Sequence, residues 1–176
     1  MFKKIVYLLV CLCLALSLCA CGNATDGGKT SSPASAPEKE EIADEKGSFI
    51  ILDQKLEIGM NLTETVLNAL GDPNDVQNAP SCHFDGEDTI YIYDDYSLYT
   101  YADGDKNVLY LIEISGSGVS TSEGISIGSS CEDVREIYGA PSEEAETYLI
   151  YEMPTSIIRF SHDGAAVNLI EYEEKE

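Results

Sequence analysis

One pattern, stated twice, limits what this chain can fold into more than any other feature. Ile58-Gly59 leads through Asn61, Glu64, Val66 and Leu70 into Gly71-Asp72-Pro73, and Ile127-Gly128 leads through Ser129, Glu132, Val134 and Tyr138 into Gly139-Ala140-Pro141. Each copy has the grammar of one short helix. Asn61 and Ser129 are N-cap residue types whose side-chain oxygens accept an unpaired backbone N–H, and Glu64 and Glu132 follow three residues on, as in a capping box. Gly71 and Gly139 permit the left-handed turn that ends a helix, and proline two residues later forbids its resumption. Leu62, Val66, Ala69 and Leu70 match Ser130, Val134, Ile137 and Tyr138 at the spacing of a helix with one buried face.

After each helix the period shortens to two. Strands are expected at Thr89 to Tyr93, Ser97 to Ala102 and Val108 to Ser115, and again at Thr147 to Glu152, Ser156 to Ser161 and Ala166 to Tyr172, with tight turns between them. Lead-in strands are expected at Phe49 to Ile58 and Gly124 to Ile127. The expected fold class is therefore α+β: two tandem repeats, residues 48–115 and 124–176, each a short helix followed by a three- to four-stranded antiparallel meander. A connector, residues 116–123, joins them. Units of this size bury too little to stand alone, so they are expected to share one sheet or interface.

The N-terminus has the anatomy of a secretory signal over residues 1–20, with Lys3 and Lys4 ahead of an apolar run from Ile5 to Leu18. That run is shorter than the roughly 18 to 20 residues that cross a bilayer permanently. Residues 21–47 are rich in Ser, Pro, Gly, Glu and Lys and nearly free of large apolar side chains, which is the composition of a flexible tether. A formal charge of −22 repels nucleic acid, so no nucleic-acid partner is expected.

Six cysteines suggest a disulfide framework, yet Cys11, Cys13 and Cys19 belong to the signal. Apart from Cys21, only Cys82 and Cys131 are left. An exported compartment permits a disulfide between them, and two unpaired small hydrophobes are the other reading.

Catalytic patterns are weak. His83 and His162 are the only histidines, and neither belongs to a recognisable nucleophilic triad. Cys82, His83, Cys131 and His162 lack metal-ligand spacing, so no metal and no cofactor is expected. Asp103-Gly104-Asp105 opens like a calcium loop but lacks the later glycine and glutamate, and reads better as a hairpin turn. Six of the eleven tyrosines lie between Tyr91 and Tyr110. Tyr91 with Tyr93, and Tyr99 with Tyr101, each share a strand face by the period of two. With the longer loop around Cys82, His83 and Phe84 they form the candidate binding face, suited to protein or peptide recognition.

Leu18-Cys19-Ala20-Cys21 resembles the bacterial lipobox, and this implies a mature chain that begins at a diacylglyceryl-modified Cys21 and is held in the bilayer by its acyl chains. The tandem units opening with Ile-Gly and turning at Gly-x-Pro resemble the β-lactamase-inhibitor-protein-like fold and, in single copy, the outer-membrane assembly lipoprotein BamE. Ser81-Cys82-His83-Phe84, Tyr91-Ile92-Tyr93 and Thr121-Ser122-Glu123-Gly124-Ile125 are similar to uncharacterised lipoproteins of Gram-positive anaerobes. These resemblances imply a binding scaffold. The expectation is a membrane-anchored, extracytoplasmic, non-catalytic module for an envelope or extracellular protein. An envelope assembly factor and an inhibitor of an extracellular hydrolase are the alternatives.

Overall fold

Leu52 and Asp53 both take positive φ, 49° and 61°, so the single lead-in strand expected over Phe49 to Ile58 is instead a hairpin of β1 (Ser48–Ile51) and β2 (Gln54–Glu57). This is the turn conformation that matches strand twist in a two-residue loop. The computed structural model describes residues 47–81 and 84–175, and all of these fall in one compact unit. The signal, Cys21, nearly all of the tether, Cys82 and His83 lie outside the described residues.

Both expected helices form, and both start later than their expected caps. α1 (Glu64–Leu70) is capped by Thr63, whose Oγ1 accepts from the Val66 N–H at 3.4 Å. α2 (Cys131–Tyr138) is capped by Ser130 in a capping box with Asp133, each accepting from the other's backbone N–H at 3.1 Å. Asn61 and Ser129 are used elsewhere. The Asn61 Oδ1 accepts from the Asn107 N–H at 2.8 Å, and the Ser129 Oγ accepts from the Ser126 N–H at 3.1 Å. Both helices stop at the expected glycines, Gly71 and Gly139.

Eight further strands follow: β3 (Asp75–Pro80), β4 (Glu87–Ile92), β5 (Tyr96–Asp103), β6 (Lys106–Ile114), β7 (Glu143–Glu144), β8 (Tyr148–Glu152), β9 (Ser156–His162) and β10 (Val167–Glu174). They form one antiparallel sheet in the order β3-β4-β5-β6-β10-β9-β8-β7. This corrects the α+β expectation of two helix-plus-meander repeats: the chain is mostly β, built on an eight-stranded sheet with a separate two-stranded one. The physical reason lies at the β6–β10 seam, where Ile114 pairs with Ile170 and Ile112 with Tyr172. Joining these strands removes two open edges and places all four side chains, each fully buried, in a common core. Gly124 to Ile127 is not a strand and contributes only an isolated bridge, Ser120 to Ser126.

One face of the sheet is covered. Leu98, Leu109, Ile112, Ile114, Leu149 and Ile158 are fully buried on it. Phe49 of the β1–β2 hairpin meets Tyr96 edge-on at 5.5 Å, and Tyr138 of α2 lies 5.1 Å from Phe160 and 5.3 Å from Tyr151. The hairpin and helices therefore cover this face, and Cys131, a free thiol, is buried at the start of α2.

The connector is a packed structure. The Asp95 carbonyl accepts from the Ser115 and Gly116 N–H groups at 3.0 and 2.9 Å, and its carboxylate accepts from the Gly118 N–H at 3.0 Å. A Cβ on Gly116 would lie 2.7 Å from the Asp95 Cα, so only glycine fits there.

Candidate binding face

The opposite face of the sheet lacks such a cover among the described residues, and its side chains follow from the strand register. Residues opposed across an antiparallel pair point to the same face. Tyr91 opposes Leu98, a fully buried core residue, whereas Tyr99 opposes Ile90 and Leu111. Tyr91 and Tyr93 therefore pack against the core, while Tyr99 and Tyr101 occupy the outer face. The Tyr91 hydroxyl accepts from the Asn107 side-chain amide at 3.0 Å, and Tyr93 stacks on Tyr96 at 4.6 Å. The four tyrosines expected on one binding face are thus split between two.

Phe84 joins the outer pair. Its ring stacks on Tyr101 with centroids 3.6 Å apart and planes 9° apart, and it meets Tyr110 edge-on at 5.3 Å. A register shift between Tyr99 and Thr100 places an extra residue in β6 there, the local kink of a bulge. The Tyr110 hydroxyl donates to the buried Asp88 carboxylate at 3.0 Å.

Two rows of opposed residues cross the middle of this face. The first reads Ser97, Glu113, Glu171, Arg159, Ile150, and the second reads Tyr99, Leu111, Glu173, Ile157, Glu152. Along the second row lies an open groove of about 720 Å³, floored by Leu111 and Ile157 and walled by Phe84, Tyr110 and charged side chains, with Glu171 and Arg159 of the first row on its lining. Two cations line it, Arg159 and Lys175, and Lys175 pairs with Glu152 at 3.3 Å. The guanidinium donates to Glu173 from Nε at 2.9 Å and from Nη2 at 3.4 Å, lies 3.7 Å from Glu171, and stands 5.3 Å over the Tyr148 ring.

The electrostatics are lopsided. Burial raises the Glu171 carboxyl above the ordinary glutamate range, neighbouring Glu173 and Glu113 add to the rise, and Arg159 offsets only part of it. Burial also raises the Tyr99 phenol, helped by the charge of Glu113 and by a hydrogen bond to it. The same Glu173 hydrogen bond holds the Arg159 proton more firmly. This face can therefore bind, through apolar floor, aromatic wall and unbalanced carboxylates, and among the described residues it shows no nucleophile beside a base.

Of the sequence-stated candidates, Tyr99, Tyr101 and Phe84 come together, and Tyr91 and Tyr93 lie on the core side. Glu113, Arg159, Glu171 and Glu173 were not singled out by the sequence. The signal available for Glu171 and Glu173 is their alternation in β10, which places both on one strand face.

No family model matches the chain, and no curated protein matches it. Similar solved structures include an extracellular protein containing an SCP domain from Bacillus anthracis, 13% identical with a TM-score of 0.52, covering 84% of this chain and 50% of that one. The chain thus spans about half the length of that protein, and the likeness is one of fold. A DUF4309 family protein from Bacillus subtilis is 17% identical over 74% of this chain and 90% of that chain, with a TM-score of 0.47.

Proposed function

We propose that this chain is a lipid-anchored extracytoplasmic lipoprotein, acylated at Cys21, that works as a non-catalytic binding module and presents the outer face of its eight-stranded sheet to a polypeptide partner. One observation carries the reading: a sheet whose inner face is sealed by a hairpin and two helices leaves an aromatic-walled, charged groove across its outer face. Aromatic rings beside an apolar floor are the residue types enriched at recognition surfaces. The lipobox-like Leu18-Cys19-Ala20-Cys21 and the signal anatomy support the location. The similarity to a protein described as extracellular agrees with it. No helix of the described residues is long and apolar enough to cross a membrane.

The test separates the two tyrosine pairs. Replacing Tyr99 and Tyr101 together by alanine should weaken capture of a partner from envelope extract at least severalfold while the melting temperature falls little. Replacing Tyr91 and Tyr93 should mainly lower the melting temperature. Equal effects of the two double variants on both readouts would remove the outer face from the proposal. Cys21→Ser should release the chain from membranes and abolish a lipid mass increment.

A further inference from the structure

Asp88 on β4 is only 7% exposed, although it belongs to the outer face, where it opposes Tyr101 of β5. Tyr101 carries the stacked Phe84 ring, and Tyr110 reaches across from β6 to donate its hydroxyl to the Asp88 Oδ2 at 3.0 Å. The bulge leaves Tyr110 without an opposing residue, since Tyr99 pairs with Leu111 and Thr100 with Leu109. A bulge re-aims the side chain it carries, and here the bond to Asp88 supplies the direction. The other carboxylate oxygen, Oδ1, is buried without a hydrogen-bonding partner. A half-satisfied acid is costly in such a place, and an apolar residue would avoid the cost. A residue that breaks a local rule in this way marks a functional requirement.

Resting on the outer-face reading above, we infer that Asp88 is a positioning residue of the groove: through its bond to the Tyr110 hydroxyl it fixes the aromatic wall that the partner polypeptide meets. Tyr110 and Phe84 both line the groove, and their rings meet edge-on at 5.3 Å. Apolar contact is non-directional, whereas a hydrogen bond weakens steeply when misaligned, so the bond to Asp88 selects one placement of the phenol ring. Tyr110 in turn buttresses Phe84, whose backbone N–H donates to the Ser81 Oγ at 2.9 Å. A wall fixed before the partner arrives does not have to be ordered during binding, and the affinity rises by that saving.

Two measurements on the full chain test this: the nuclear Overhauser contact between the Phe84 and Tyr110 rings in mild detergent, and the adduct yield in intact cells from a photocrosslinking side chain at Leu111. Asp88→Ala should weaken the ring contact and lower the adduct yield about fivefold, the worth of one hydrogen bond. Asp88→Asn, whose amide oxygen still accepts from the Tyr110 hydroxyl, should keep both. Tyr110→Phe should match Asp88→Ala, and the double variant should be no worse, since each change removes the same bond. Gly116→Ala, destabilised elsewhere, should keep both readouts below its melting temperature, which separates positioning from loss of stability. Should Asp88→Ala fail to fold, Tyr110→Phe against Asp88→Asn decides alone. An unchanged ring contact and adduct yield in Tyr110→Phe, or an equal loss in Asp88→Asn or Gly116→Ala, overturns the proposal. If the ring contact is lost while the Leu111 adduct is undiminished, the role of Asp88 falls and the outer-face reading stands. If the chain with Asp88 intact gives no adduct from Leu111, both fall.

Discussion

Arg159 on β9 clasps Glu173 on β10 diagonally, with Nε 2.9 Å and Nη2 3.4 Å from the two carboxylate oxygens, in preference to Glu171 directly opposite it. The pair is neither fully exposed nor sealed, with side chains 29% and 28% accessible. Its worth should fall between that of a surface bridge and a buried one. Arg159→Met, which keeps the stem, should cost about 1–2 kcal/mol at pH 7 by leaving Glu171 and Glu173 to repel each other. The cost should shrink at acid pH, where Glu171, its carboxyl held above the ordinary range by burial, takes up its proton. Urea unfolding at the two pH values measures both.

Glu171 carries the opposite sign. Burial, followed by Glu173, holds its carboxyl above the ordinary range, so the folded protein binds that proton more tightly than the unfolded chain does. The group's contribution is therefore most favourable below the ordinary glutamate range and is lost as pH rises through the folded value. Glu171→Gln should raise the melting temperature at pH 7 by about 1–3 °C, with the gain disappearing near pH 4.

Much of this architecture can be read from residue order, and what cannot has a physical reason. β4, β5, β6, β8, β9 and β10 were expected within a few residues, because each alternates apolar and polar side chains. β3 lies outside the expected strands because Asp75–Pro80 shows no apolar–polar alternation, in keeping with its nearly complete exposure, and β7 is only two residues long. The pairing of β6 with β10 joins segments far apart in the chain, and neither segment names its partner, so residue order suggests a shared sheet or interface without saying which strands meet. The groove depends on that same pairing, which alone brings Glu113 beside Glu171. Tyr91 and Tyr99 each alternate correctly, yet the register that sends them to opposite faces is a property of two strands together.

The β1–β2 turn holds two non-glycine residues in the left-handed region, one of them the exposed Leu52. Such a residue costs roughly 1–2 kcal/mol. Replacing Leu52-Asp53 by Asn-Gly, the pair this turn favours, should stabilise the protein by about 1 kcal/mol or more in chemical denaturation, with no effect on partner capture.

Gly116 gives the converse case. A methyl group there would run into the Asp95 Oδ1 and lie 2.7 Å from its Cα, and the latter is backbone that cannot swing away. Gly116→Ala should destabilise by roughly 2 kcal/mol or more, and Asp95→Ala in the same chain should recover little of it.

The most direct measurement is photocrosslinking in intact cells from a single reactive side chain at either of two positions. Leu111 lies in the outer-face groove, and Asn68 is exposed on α1. A probe at Leu111 should give a discrete adduct with an envelope or extracellular protein, and a probe at Asn68 should give none. An adduct from Asn68 with nothing at Leu111, or equal adducts from both, would contradict recognition by the outer face of the sheet.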